Sequence, residues 1–327
     1  MARSALVTQR QLLQLLSSGE FQSGQRVADE LGLSRTAVAN HIKLLQELGL
    51  DIYKIKGRGY RLAQPLSLLD AATIIKLKAK TVPDVLVQSI TDSTNSQLMH
   101  KVTEGTVKAP GYVIVAEAQT AGRGRRGRAW YSPFGASLYF SMYWRLEQGV
   151  QAAMGLSLVV AIALSRVIER EFHLSPSVKW PNDVYIDGKK LAGILVELAG
   201  QADAACDVII GIGLNIQLPQ QSHSHIDQSY TDLSSGTGLP IDRNKLIVSL
   251  QTELIALLQQ FSERGFTEFA AEFNRRDHFH QQPVKLSGTT ETTGLCLGVD
   301  KQGALLIKTD SGCETFFGGE LSLRAGD

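Results

Sequence analysis

The stretch Gly122–Trp130, Gly-Arg-Gly-Arg-Arg-Gly-Arg-Ala-Trp, constrains this chain more than any other. Four arginines and three glycines in so short a run make a loop that bends freely, lets its backbone approach a ligand and surrounds that ligand with positive charge. Gly122, Gly124 and Gly127 also spell G-x-G-x-x-G. A dinucleotide site of that form needs a strand before the loop and a helix opening out of it, because the pyrophosphate rests on the helix N-terminus. Val113–Glu117 reads as a buried strand, but Tyr131-Ser132-Pro133-Phe134-Gly135 stops any helix, and Leu138–Trp144 alternates as a strand does. The loop therefore joins two strands, and its charge suits an anion better than a neutral backbone cradle does.

Length and near-average composition predict two or three soluble globular domains. Because the formal net charge is only +1, attraction for a polyanion has to come from local clusters, which stand at Lys54–Arg61 and Arg123–Arg128. Cys206, Cys296 and Cys313 are odd in number, far apart and in no metal-binding spacing, as in a reducing cytosol. No signal peptide or membrane-crossing stretch is read, so a cytoplasmic location without membrane association is expected. The apolar run Met154–Val167 is broken by serines and reads as a core helix.

Residues Thr8–Leu62 read as a small domain of their own. Thr8 can cap a helix carrying Leu12, Leu13, Leu15 and Leu16, which Gly19 stops; Ser23 starts a second helix that ends at Gly32. Ser34 caps a third, where Val38, Ile42 and Leu45 repeat at helical spacing while Thr36, Asn40 and Lys43 fall on the opposite, polar face. A basic hairpin follows, with Lys54, Lys56, Arg58 and Arg61 around Gly57 and Gly59. Two helices and a glycine-containing turn, with hydrogen-bonding side chains facing outward, form a helix-turn-helix for the major groove; the hairpin makes it winged and can meet phosphates. A protein-docking module with a solvated basic edge is the blander alternative.

A second domain begins after Pro65. Asp92-Ser93-Thr94-Asn95 lies between a short strand, Leu86–Ile90, and a helix from Ser96; it is a good N-cap, and its neutral hydroxyls and amide also suit an uncharged ligand group such as an amide or urea. Lys179-Trp180-Pro181-Asn182-Asp183 leads into a hairpin turning at Asp187-Gly188, which folds Lys190 back toward Lys179 and Asp183. Two lysines, a carboxylate and the arginine loop in one domain are economical as a phosphate site. Val208–Gly213 reads as a buried strand whose glycines allow close approach, and Asn215 at its end can pair with a purine edge. Gln217–Ser235 is polar and irregular; His223 and His225 within it read as an exposed mobile loop rather than a metal site, as do His278 and His280. Helices near Arg243–Phe261 and Phe266–Arg276 close the domain. After Pro283, strands at 284–286, 294–299, 304–308, 314–317 and 321–323 predict a compact small barrel or sandwich.

With Gly-Arg-Gly-Arg-Arg-Gly-Arg, Lys-Trp-Pro-Asn-Asp and Lys-Leu-Ala-Gly-Ile-Leu-Val-Glu in this order, the chain resembles the bacterial bifunctional biotin protein ligases and biotin operon repressors over nearly its full length. The resemblance implies an α+β multidomain protein. Its parts would be a winged helix-turn-helix over 1–65, a mixed α/β ligase domain of the biotin/lipoate ligase type over 66–276, and a small SH3-like β-barrel over 277–327. It implies biotinyl-5'-AMP formation from biotin and ATP with magnesium, then transfer of the biotinyl group to a lysine of the biotin carboxyl carrier domain of acetyl-CoA carboxylase. It also implies adenylate-dependent homodimerisation and repression at operator DNA of the biotin operon. A biotin sensor without transfer activity and a lipoate or octanoyl transferase are the rivals.

By the same resemblance, Ser93, Thr94 and Gln119 hold the ureido ring with Asn95 also at the biotin site, while Arg123, Gly124 and Arg125 cover the biotin tail and the adenylate phosphate. Lys190 meets carboxylate and phosphate beside Gly193. Trp130 and Asn215, with Gly122, Gly211 and Tyr230, serve the adenylate. Lys179 joins the catalytic cations, and Asp183 orients or accepts a proton from the incoming amine. Ser34, Arg35, Thr36, Asn40, Lys43, Lys56 and Arg58 are the expected DNA contacts, and no protein metal site is expected. The segment Leu218–Tyr230 stands where the family orders a loop over the adenylate, here with an unusual histidine-rich sequence.

Overall fold

Helix caps written into the sequence set the N-terminal region. In the computed structural model, which describes residues 2–147, 149, 153–199, 205–288, 291–318 and 322–326, Ser23 caps α2 (Gly24–Leu31) and Ser34 caps α3 (Arg35–Glu47). Gly32, with φ of 63°, ends α2 in the left-handed conformation that favours glycine. The preceding helix, α1 (Ala2–Leu16), starts six residues before the expected Thr8 cap, yet Leu12, Leu13 and Leu16 are buried as the spacing requires. They meet Val38, Ile42 and Leu45 of α3 in one apolar cluster. The hairpin β1 (Ile52–Ile55) and β2 (Gly59–Leu62) pairs Ile52 with Leu62, and α2 is tied to it where Gln22 and Tyr60 exchange backbone bonds.

The central region is a seven-stranded sheet in the order β3-β4-β5-β9-β8-β7-β6. Its strands are β3 (Val85–Thr91), β4 (Val113–Gln119), β5 (Ser137–Leu146), β6 (Ser177–Lys179), β7 (Asp183–Ile186), β8 (Lys189–Ala199) and β9 (Cys206–Asn215). Only β3 and β4 run parallel; the other neighbours are antiparallel. Alternation along the strands gives the sheet two apolar faces. One packs on the short α4 (Ala71–Leu77), α6 (Leu156–Phe172) and α8 (Arg243–Arg264), the other on α5 (Thr94–Thr103) through Leu98, Ile114, Tyr143 and Ile209. As expected, α6 is a core helix, and among the described residues no helix is long and apolar enough to cross a membrane. The irregular stretch after β9 contains more order than its polar sequence suggests: a 3-10 turn at Gln220–Ser224 and a short helix, α7 (Leu233–Thr237), capped by Asp232.

The C-terminal region is a five-stranded antiparallel sheet ordered β13-β12-β11-β10-β14, from β10 (Pro283–Ser287), β11 (Glu291–Val299), β12 (Leu305–Thr309), β13 (Gly312–Phe316) and β14 (Ser322–Ala325). Leu321, expected to open the last strand, lies outside the described residues. This sheet joins the central core through α9 (Ala270–Arg276) and through Trp180, whose indole N–H donates to the carbonyl of Gly303 at 3.2 Å.

A buried ion pair fixes the connection between winged helix and central sheet. Arg243, 1% exposed, donates to the Ser67 carbonyl, to Ser137 O and to the carboxylate of Glu117, whose other oxygen accepts from Leu69 N at 2.6 Å. A buried charge is tolerable only when it is paired and hydrogen-bonded. The linker backbone is part of that solution.

Candidate functional site

Three glycines on alternate positions pave the floor of a cleft. Register pairs Gly193 with Gly213 and Leu195 with Gly211, so these glycines lie on the α5 side of the sheet, just beyond the end of α5. A Cβ at Gly213 would fall inside the indole of Trp130, one at Gly193 would come within 2.9 Å of it, and one at Gly211 would overlap the amide of Asn95. The sequence needs glycine there to let large groups lie on the sheet. Gly122 serves the loop itself: its carbonyl accepts from Trp130 N at 2.9 Å, and a Cβ there would strike Ser132 Oγ.

The cleft has a neutral end and a cationic end. At the neutral end Ser93 caps α5 and points to Ser96 N, while Thr94 donates its N–H to Gln119 Oε1 at 2.9 Å. Gln119 in turn donates to Ser132 Oγ at 3.0 Å. Thr94, Ser141 and Asn95 form a buried chain, with Ser141 Oγ 2.7 Å from Thr94 Oγ1 and 2.5 Å from Asn95 Oδ1. Both ends of the Asn95 amide are thus engaged within the protein, the nitrogen with Glu197 at 2.9 Å.

At the cationic end the loop closes as a narrow ribbon. Arg123 bridges to Ala129 and a 3-10 turn occupies Arg125–Gly127, with Arg126 at φ 60°. Arg123 pairs with Glu197 at 2.7 Å. Arg125 donates to Asn182 Oδ1 at 2.9 Å, and Asn182 is fixed by its own bond to Ile194 O. Burial pushes the Arg125 guanidinium below its ordinary pKa, opposed by Asp183; the group stays charged and gains from an anion beside it. Lys190 Nζ lies 2.9 Å from Asp183 Oδ1 and 5.5 Å above the Trp130 ring. Lys179, opposite Asp183 in the β6–β7 register, sits over the rings of Tyr185 and Phe279. Burial holds its ammonium below the usual lysine range, with Asp183 opposing and Lys190 and Arg324 adding to the fall. This is a site short of negative charge.

The histidine-rich segment packs two of its rings against tyrosines. His225 stacks on Tyr131 with ring centres 4.4 Å apart, and His223 packs against Tyr230. Tyr230 bridges to Lys190, whose backbone bonds Ser229 O and Thr231 N. Both histidines are exposed, as expected, and their rings lie against tyrosines beside the cleft. His278 likewise stacks on Tyr185 and lies 3.0 Å from Ser177 Oγ. Asn215 spends its amide nitrogen on Thr231 O at 3.0 Å, which leaves its oxygen for another donor. No cluster of three or more metal-ligating side chains occurs among the described residues.

Most residues expected at the site line this one cleft, from Ser93, Thr94, Asn95 and Gln119 through Arg123–Arg125 and Trp130 to Lys179, Asp183, Lys190, Gly193, Gly211, Asn215 and Tyr230. Gly122 stands behind it. The reading of residues did not single out Asn182, Glu197 or Leu323, the last lining the cleft from the C-terminal sheet. Far away, Arg35, Thr36, Asn40 and Lys43 are exposed on α3, with Lys56 and Arg58 at the wing; Ser34 is engaged as the α3 cap. Arg58 lies over Phe21 at 4.3 Å, so its guanidinium is held at the wing rather than waving free.

Three family models match: the HTH domain over 8–61, the biotin/lipoate A/B protein ligase family over 87–215, and the biotin protein ligase C terminal domain over 280–324. The bifunctional ligase/repressor BirA of Escherichia coli (strain K12) is 43% identical over 97% of this chain and 97% of its own. That of Bacillus subtilis (strain 168) is 32% identical over 96% and 98%. Among solved structures, the biotin protein ligase from Aquifex aeolicus in complex with biotin and ATP superposes with a TM-score of 0.64 at 30% identity, covering 74% of this chain and 99% of that one.

Proposed function

We propose, for a chain that belongs to the family of bifunctional biotin ligase/repressors, that it joins biotin to a lysine of the biotin carboxyl carrier domain of acetyl-CoA carboxylase and represses biotin synthesis through its winged helix. The observation that carries the reading is the polarity of the cleft. The neutral hydroxyls and amides of Ser93, Thr94, Asn95 and Gln119 line one part of it, the cations Arg123, Arg125, Lys179 and Lys190 another, and the Trp130 indole rests on the glycine floor. A substrate with a urea at one end and a carboxylate at the other fits that polarity.

In the first step a biotin carboxylate oxygen attacks the α-phosphorus of ATP; the new O–P bond forms as the bond to the β-phosphate oxygen breaks and pyrophosphate leaves. Two anions must meet, and Arg123, Arg125, Lys179 and Lys190 lower the cost of bringing them together. Trp130 and the free oxygen of Asn215 receive the adenine. Magnesium brought in with ATP would be held near Asp183 and Asp227, the aspartates lining the cleft. Bound there, it supplies charge neutralisation at the phosphates. In the second step the lysine nitrogen attacks the acyl carbon, AMP leaves with its electron pair, and the amine loses a proton toward Asp183.

For repression, the adenylate packs the Tyr131, His225 and Tyr230 region and favours a homodimer that presents two winged helices to a two-fold operator. Arg126 and Arg128, exposed on the loop, are candidates to face the second protomer. Incubation with biotin, ATP and a purified carrier domain is the decisive assay. Labelled carrier is expected from the wild type and not from Arg125→Ala; adenylate without labelled carrier would leave only a sensor, and preference for lipoate would reassign the substrate.

A further inference from the structure

Glu197 touches the cleft only from behind, yet its carboxylate decides which way a buried row of hydrogen bonds runs. An ionised carboxylate only accepts, so the Asn95 amide must turn its nitrogen toward Glu197 Oε2, 2.9 Å away. Leu195 O at 3.4 Å favours the same turn. Asn95 Oδ1 then faces Ser141 Oγ at 2.5 Å and can only accept, which commits the single Ser141 proton to it. Ser141 Oγ, 0% exposed, is 2.7 Å from Thr94 Oγ1 and has no proton left for it. Thr94 must therefore give its own proton inward, to Ser141 or to Gln119 Oε1 at 3.1 Å. What Thr94 offers the cleft is bare lone pairs.

From this we infer that Glu197 is a positioning residue which, through Asn95 and Ser141, fixes Thr94 as an acceptor for a ligand N–H. The inference deepens the biotin reading proposed above and rests on it, since a cyclic urea brings N–H groups to that end of the cleft. The same carboxylate oxygen also holds Arg123 at 2.7 Å, so one acidic side chain orders the neutral end and restrains the cationic end of the cleft.

Without Glu197 only the long 3.4 Å contact to Leu195 O opposes a flip of the Asn95 amide. Its nitrogen then donates to Ser141, the serine proton turns to Thr94, and Thr94 meets a ligand N–H with one lone pair spent. Glu197→Ala should raise the KM for biotin about tenfold, about 1.4 kcal/mol, while any change in kcat or in the KM for ATP reports the freed Arg123 instead. Glu197→Gln, whose amide oxygen can still accept from both Asn95 and Arg123, should recover most of the loss.

The deciding measurement is the double-mutant cycle of Glu197→Ala with Ser141→Ala, read as biotin KM in pyrophosphate release, with thermal unfolding as a control. If the effect passes along the row, Ser141→Ala removes the relay and the two penalties do not add. Additive penalties would mean that Glu197 acts through Arg123 alone, and an unchanged biotin KM in Glu197→Ala would mean it does not act at all; either overturns the inference. A wild type that releases no pyrophosphate in response to biotin would instead remove the biotin reading beneath it.

Discussion

Asp183 and Lys190 face each other at 2.9 Å across the turn at Asp187-Gly188, a carboxylate and an ammonium that occupy one another. That arrangement separates their tasks in time. On the proposed mechanism Lys190 serves when negative charge gathers at phosphorus, and Asp183 when an amine sheds its proton. Asp183→Asn should therefore slow transfer from preformed adenylate about 100-fold, a typical general-base contribution, while adenylate formation falls far less. Single-turnover rates of the two half-reactions check this, and equal losses would remove the role.

The indole of Trp130 rests where Gly213 and Gly193 leave room. Gly213→Ala should displace it and raise the KM for ATP about tenfold, the scale of overpacking a tight contact at about 1–3 kcal/mol. Biotin binding without ATP, followed by calorimetry, should stay close to wild type. Loss of both together would mean that the sheet itself had been distorted.

Burial disfavours the charged form of Lys179, so in the free protein it deprotonates at a lower pH than its ordinary 10.5. A triphosphate favours the ammonium, so affinity is full below the depressed pKa and falls as pH rises through it, by up to about tenfold per unit. The KM for ATP should accordingly climb on the alkaline side before an ordinary lysine would titrate. In Lys179→Arg, whose guanidinium keeps its proton, that climb should vanish.

Arg243 and Glu117 are a buried pair at 1% and 6% side-chain exposure, and removing either partner strands the other in the core. Arg243→Ala should cost about 3–5 kcal/mol in urea unfolding. Adding Glu117→Ala should then cost less than it does alone, because the stranded charge has gone.

The local rules were legible where one short segment decides the outcome. Ser23 and Ser34 cap helices, Asp187-Gly188 turns a hairpin, and Pro133 with Gly135 ends any helix that the arginine loop might open. The start of α1 was not legible: packing of Leu12, Leu13 and Leu16 supports a helix whose first turns the capping pattern does not announce. Partners distant in sequence were also hidden. Glu197 is the last residue of Lys-Leu-Ala-Gly-Ile-Leu-Val-Glu, but nothing local says that it meets Asn95 and Arg123, 102 and 74 positions away. Its one readable sign is an acidic residue on a strand face shared with Gly193, two register steps beyond Leu195. The seating of His223 and His225 rests likewise on tertiary neighbours rather than on their own composition.

Phe134 and Ala118, both from the central region, are packed into the same apolar cluster as Leu12, Val38 and Leu45 of the winged helix. Phe134 N also donates to the Leu48 carbonyl at 2.9 Å, and Gln221 reaches Gly49 O at 3.0 Å. The seam between the two regions in the chain, near Pro65, is thus no seam in the core. A ligase severed there would bare an aromatic ring and two orphaned partners, so gaining or losing the DNA-binding half is not a matter of cutting a tether. It requires a new surface, with polar residues placed where Phe134 now lies.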